Sequence, residues 1–315
     1  SASRYQRYVE DFIHKFPKSV EGYVSQAEFY LARNDFGKAN ATMQTALSMA
    51  DKKDEAHYNL AKLIYQKEIK QANMPYPQWN LDLALAETNK AYALNPLPLY
   101  KHLEAQIVYF KGEYAKAYEQ FMALTKTNLR NGELFYEAAQ CKQQLKAPFA
   151  EILTLLDSAV TAQDANLSAP YVLARGTALH GAQQYKKAMA DYNRYDSLML
   201  GRASHDFYYT RALCEVQLRQ FQQALNDFAH AIVLNRAEPT YYAELAQLQL
   251  RVNQKDDAVA TADLGLRIAP NYPDLYLIKG LALVNDNKKA EGLAALNKAK
   301  ELGDTRADDL IKKYK

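Results

Sequence analysis

Residues 208–231 (YYTRALCEVQLRQFQQALNDFAHA), 242–265 (YAELAQLQLRVNQKDDAVATADLG) and 276–299 (YLIKGLALVNDNKKAEGLAALNKA) align without a gap, and their starting positions are evenly spaced. A tyrosine opens each stretch, and a small residue follows at a fixed place, Ala212, Ala246 and Gly280. Two more small residues recur further on: Ala224 and Ala231, Ala258 and Gly265, Gly292 and Ala299. Small side chains at fixed positions let two helices approach closely, and the larger residues between them need the next pair of helices to bury them. A constant period of this length therefore predicts helical hairpins stacked one on the next.

The composition agrees with that reading. With 11 glycines and 10 prolines in 315 residues, 49% of them hydrophobic, the chain suits long helices joined by short turns and excludes both disorder and a β-sandwich. A length of about twice a usual domain is then explained by one array. Thirty-nine basic against 36 acidic residues leave a net charge of +3, too balanced for the concentrated field that phosphate backbones require, so no nucleic-acid partner is expected. No run approaches the ~18–20 apolar residues that cross a bilayer, so no transmembrane segment is expected in this chain. The chain opens on Ser1 rather than methionine, so a signal peptide, part of a longer precursor or simply the boundary chosen for expression is expected to account for its start.

The pattern resembles the tetratricopeptide repeat, in which an aromatic, a Leu-Gly/Ala pair and a Tyr are followed by Ala, an aromatic, Ala and a closing Pro. Tyr208, Ala212, Phe221, Ala224, Phe228 and Ala231 match it best. Gly112, Tyr114, Ala117 and Phe121 match in another unit, as do Gly176, Tyr185, Ala188 and Tyr192, and Tyr23, Ala27, Tyr30, Ala39, Met43 and Ala46. Pro17, Pro96 and Pro270 stand where the closing proline stops a helix. The resemblance implies an all-α fold, a right-handed α-solenoid (superhelix) of stacked antiparallel helix hairpins, bacterial in type and forming a single domain over residues 1–315. Residues 1–19 are expected to form an N-terminal capping helix, 20–304 about eight repeats, and 305–315 a polar helix that caps the end of the array.

Two units depart from the pattern. About eleven extra residues separate Ala61 from Ala84, which predicts an inserted loop near 66–80 holding Met74, Pro75, Tyr76, Pro77 and Trp79. Between residues 132 and 168, Ile152 replaces the usual alanine and Pro148 shifts the turn, so the repeat frame is expected to drift there.

Motifs of catalysis are absent: there is no HExxH, GxxxxGK[ST], GxSxG or EF-hand loop, and the six histidines (14, 57, 102, 180, 205 and 230) show no metal-ligand spacing. No enzyme, metal or cofactor is expected. Five glycines, at 112, 176, 265, 280 and 292, are assigned to close helix packing or hairpin turns. Cys141 and Cys214 fall at the same place on first helices two repeats apart. That is ~20 Å at one helix diameter per repeat, beyond the ~7 Å limit of a disulfide, so buried free thiols are expected.

The resemblance implies a concave binding face lined by the first helix of every repeat. Counting from the opening aromatic puts Tyr58, Lys62 and Tyr65 there, then His102, Gln106 and Tyr109, then Tyr136, Gln140 and Gln143, and later Tyr209, Gln217, Gln247 and Arg251. Rings give contact area at low entropic cost, and amides pair with both donors and acceptors of an extended backbone, so the set suits a peptide. Tyr76 and Trp79 form a candidate contact loop, with packing of Trp79 onto the following helix as the ordinary alternative. Tyr23, Tyr30, Tyr114, Tyr185, Tyr192, Tyr208, Tyr242 and Tyr276 are assigned to hairpin cores. One branch of the family clamps a C-terminal carboxylate with lysines, asparagines and arginine. Val24, Tyr58, His102, Tyr136 and Tyr209 stand at those places and do not supply that set.

The expected function is a non-enzymatic scaffold that docks a protein or peptide partner in the groove. The residues leave two alternatives open: a structural component of a bacterial envelope or secretion assembly, and the repeat region of a longer enzyme or regulator. The bacterial periplasm or cell envelope is expected ahead of the cytoplasm.

Overall fold

Helix-forming residues fill the chain between short turns, and the helices come in pairs. The computed structural model describes residues 2–50, 52–70 and 81–315, and among these the regular structure is helical with no strand. Two compact units divide it, Ser1–Tyr171 and Val172–Lys315. The first holds α1 (Ala2–Lys15), α2 (Val20–Ala32), α3 (Phe36–Met49), α4 (Lys53–Lys70), α5 (Leu81–Leu94), α6 (Pro98–Phe110), α7 (Tyr114–Leu124), α8 (Gly132–Gln144) and α9 (Phe149–Thr161). The unit boundary falls inside α10 (Ala169–Gly181). The second unit continues with α11 (Tyr185–Met199), α12 (His205–Gln217), α13 (Phe221–Leu234), α14 (Pro239–Arg251), α15 (Lys255–Ile268), α16 (Pro273–Asn285), α17 (Lys289–Glu301) and α18 (Arg306–Tyr314). Between α1 and α18 the helices pair in chain order, from α2 with α3 to α16 with α17.

Outside the α4–α5 connection, each hairpin turns through one residue in the left-handed region: Asn34, Gly112, Lys146, Gln183, Arg219, Asn253 and Asn287. In the α12–α13 turn the Arg219 amide donates to the Val216 carbonyl at 3.0 Å and the Gln220 amide to the Glu215 carbonyl at 2.9 Å. This is a Schellman motif, which satisfies the last carbonyls of the first helix. Gln220 then caps the start of α13, so the reversal is short and the two helices lie tightly antiparallel. The same pair of bonds recurs at Asn253 and Gln254 and at Asn287 and Lys288, in step with helix starts at His205, Pro239 and Pro273.

A second device closes the turn between hairpins. The hydroxyls of Tyr23, Tyr242 and Tyr276 each donate, at 3.0 Å, to the carbonyl six residues earlier, of Pro17, Arg236 and Pro270. Proline at the first position starts α6, α14 and α16, where its missing amide costs nothing.

The small residues of the repeat lie in the core. In the first unit Ala27, Ala39, Ala61 and Ala84 are fully buried against Met43, Leu60, Ile64, Leu103 and Ile107, so that α2 to α6 share one interior. In the second unit a Cβ on Gly292 would come within 2.8 Å of the Val284 backbone nitrogen, and one on Gly176 would meet the Tyr192 ring at 3.1 Å. At the ends, Gly22 of α2 lies close against Phe12 and Ile13 of α1. Ala307 and Ile311 of α18 are buried with Leu277, Leu296 and Ala299.

One expectation needs correction. The inserted loop does not begin at residue 66, because α4 continues through Lys70. Gln66, Lys67, Glu68 and Lys70 are good helix formers, and no proline occurs between Pro17 and Pro75. Residues 71–80, with Met74, Pro75, Tyr76, Pro77 and Trp79, lie outside the described residues. The expected drift between residues 132 and 168 is present, but it does not arise at Pro148, which caps α9 while Lys146 makes the usual left-handed turn. The extra length comes after α9, where a 3-10 turn at Ala165–Leu167 is inserted. The interval from the start of α8 at Gly132 to that of α10 at Ala169 exceeds the regular period by the length of that turn.

Candidate functional site

In the first unit the expected residues of α4, α6 and α8 form two kinds of contact. The aromatic ones pair off. The Tyr58 ring lies 5.1 Å from buried Tyr100, whose hydroxyl donates to Asp54 at 2.7 Å, and Tyr65 meets Phe110 edge-on at 5.7 Å. Tyr109 contacts both Phe110 and Tyr114, and Tyr136 lies 5.9 Å from Tyr171. These site rings are half-buried, while Lys62 and Gln143 are exposed. Burial raises the phenols of Tyr58 and Tyr109, and raises Tyr65 with the help of the Glu137 and Glu133 charges, so all three remain neutral donors.

The polar residues converge on α8. Glu137 accepts from Gln106 Nε2 at its Oε1 and meets His102 Nε2 at its Oε2, both at 2.6 Å. Gln140 donates to the Tyr136 hydroxyl at 3.1 Å. Glu133 stands one turn before Glu137, and ligand atoms of His102, Glu133 and Glu137 all lie within 4.8 Å of one another. Burial works against a charged His102, yet the Glu137 hydrogen bond and the charges of Glu137 and Glu133 outweigh it and raise the imidazole. Glu133 is exposed as a residue, but lost hydration and the charge of Glu137 raise its carboxyl, with His102 opposing.

In the second unit Tyr209 is half-buried, stacked on Tyr241 at 4.8 Å, and burial pushes its phenol up to about 12. Gln217 and Gln247 are exposed, and the Arg251 guanidinium lies 4.8 Å over the Phe221 ring. Gln247 and Arg251 also border a cleft of about 620 Å³ between α14, α16 and α18, completed by Leu277, Leu281, Arg306 and Leu310. Cys141 and Cys214 are buried free thiols, pushed by burial up to about 12 and about 11.

The sequence reading missed Glu133 and Glu137. Histidine spacing along the chain carries no trace of them, because their partner His102 lies 35 residues from Glu137 on another helix. The legible signal was their own spacing of four, which puts both on one face of α8.

No protein-family model matches the chain. No curated protein matches it either. Solved structures do. The tetratricopeptide-repeat protein YrrB aligns with a TM-score of 0.54 at 18% identity, over 61% of this chain and 97% of its own. The C-terminal part of a tetratricopeptide-repeat-containing protein from Cytophaga hutchinsonii aligns with a TM-score of 0.55 at 18% identity, over 64% and 78%. MamA aligns with a TM-score of 0.50 at 19% identity, over 56% and 94%. Helical hairpins repeated along the chain, small residues in their cores and these structural neighbours together give the chain the tetratricopeptide-repeat fold.

Proposed function

We propose that the protein is a non-enzymatic scaffold that docks an extended segment of a partner protein on the first-helix faces of its repeats. The observation that carries this reading is the row of half-buried rings on successive first helices, Tyr58 and Tyr65, Tyr109, and Tyr136, interleaved with Lys62, Gln106 and Gln140. Each ring is braced by a second aromatic, so its rotamer is fixed before a ligand arrives and little entropy is lost on binding. Amides between the rings suit the alternating donors and acceptors of a peptide backbone. YrrB, which shares the fold, is a tetratricopeptide-repeat protein with an unusual peptide-binding site.

The test is selection of peptides from a displayed library against the intact chain, followed by fluorescence anisotropy with the winners. A variant carrying Tyr58→Ala, Tyr109→Ala and Tyr136→Ala, with helicity checked by circular dichroism, is expected to bind at least ~10-fold more weakly, the loss of roughly one buried aromatic anchor. Unchanged affinity in the folded variant would reject this face as the docking site.

A further inference from the structure

We propose that His102, Glu133 and Glu137 form a binding site for a divalent transition-metal ion of the zinc class, a site that does not depend on the peptide reading. The ligand set comes from two helices. His102 on α6 presents Nε2, and Glu133 and Glu137, four residues apart on one face of α8, present carboxylate oxygens, all within 4.8 Å of one another.

Three features separate this cluster from an ordinary ion pair. The first is charge. Two carboxylates face a single imidazole, and among the described residues neither forms an ion pair with lysine or arginine, so even an imidazolium leaves the group net negative. The other buried His–Glu contact differs here: His57 Nδ1 meets Glu87 Oε2 at 2.5 Å, and Lys90 brings a positive charge to Glu87 Oε1 at 2.9 Å. That pair is balanced without a metal.

The second is an outer shell already in place. Gln106 Nε2 holds Glu137 Oε1, which turns Oε2 toward His102 Nε2. The His102 ring stands edge-on to the fully buried Phe121, at 6.0 Å between centroids. Metal ligands are commonly oriented by partners of this kind. The third is the donor chemistry. An imidazole with two carboxylates suits zinc and its neighbours, whereas calcium and magnesium take oxygen-only sets. With metal–ligand bonds of ~2.0–2.2 Å, His102 Nε2 and Glu137 Oε2 would part from 2.6 Å to ~3.3 Å, a movement within side-chain reach. Three protein ligands leave a fourth position for water or a donor from a bound partner.

The test is titration of Zn²⁺ into the chelator-washed intact chain in competition with a chromogenic chelator, with thermal unfolding followed in parallel by circular dichroism. The expected result is one ion bound per chain and a melting temperature that rises until one equivalent is reached. Glu133→Gln should weaken binding at least ~10-fold and remove the zinc-dependent rise in melting temperature. His102→Gln should weaken it further, and Gln106→Ala should cost ~10–100-fold through the outer shell. No saturable binding at micromolar Zn²⁺ would overturn the proposal. So would affinity retained within twofold in both Glu133→Gln and His102→Gln, which would mark an adventitious ion only.

Discussion

At the scale of single residues, the turns and one buried carboxylate carry the most testable consequences. Arg219 holds φ 57° with an exposed side chain, a conformation that costs an L-residue ~1–2 kcal/mol and glycine nothing. Arg219→Gly is expected to stabilise the protein by about 0.5–1 kcal/mol after the extra unfolded-state entropy of glycine is subtracted, read as a higher urea midpoint. A fall in the midpoint would show that the turn is not the strained element. Near the end of α12, Glu215 is 4% exposed, with Oε2 bonded to nothing among the described residues. Burial, then the charge of Asp227, push its carboxyl up to about 8, with Arg211 opposing. The folded state therefore holds this proton between pH ~4.5 and 8 while the unfolded chain has released it, so the group's contribution to stability falls as pH rises through that window. Glu215→Gln keeps the shape of the protonated form and should remove that decline. Relative to the parent it should gain on the order of 4 kcal/mol between pH 5 and pH 8.5, measured by urea unfolding at both. A constant difference between the two pH values would contradict this.

At the scale of helices, the approach distance within a hairpin is set by residues without side chains to spare. Gly280 and Gly292 face each other across α16 and α17, and a Cβ on Gly280 would fall 2.9 Å from the Gly292 carbonyl oxygen. Backbone atoms cannot rotate out of the way as side chains can. Gly292→Ala is expected to destabilise by about 1–3 kcal/mol despite the better helix propensity of alanine. A stabilised Gly292→Ala in differential scanning calorimetry would mean that the helices separate easily. The same close packing explains why bidentate Arg–Asp pairs span first and second helices of one hairpin. Arg175 reaches Asp191, and Arg211 reaches Asp227 while its third nitrogen binds Asp196 at 2.9 Å.

At the scale of the molecule, each unit has its own interior and carries its own reporter thiol. Cys141 lies in the first unit and Cys214 in the second, both with no exposed surface. In repeat proteins stability is summed from local units and their neighbours, so regions can open separately. In Cys214→Ser the remaining Cys141 should react with a disulfide reagent only when the first unit opens, and in Cys141→Ser the remaining Cys214 only when the second does. Neither is expected to react within minutes in buffer at pH 7.5, and both should react at once in denaturant. Rapid labelling in buffer would show that the thiols are open to solvent in the native protein.

The sequence alone determined the period, the hairpins and the places of the small residues, because helix packing imposes the same steric demand in every repeat and the chain repeats its answer. Tyr208, Tyr242 and Gly292 stand in the structure where that repetition puts them. The extension of α4 to Lys70 and the added length after α9 were not legible, since both lie where the repeat is interrupted and local propensity or a 3-10 turn takes over. The half-buried rings on α4, α6 and α8 could be named from register. Their bracing partners Tyr100, Phe110 and Tyr171 could not, because none follows from register on a single helix. Only the tertiary structure brought His102 to Glu133 and Glu137. Pairing two helices joins residues far apart in the chain, and electrostatics between such residues leaves no mark on the spacing of either.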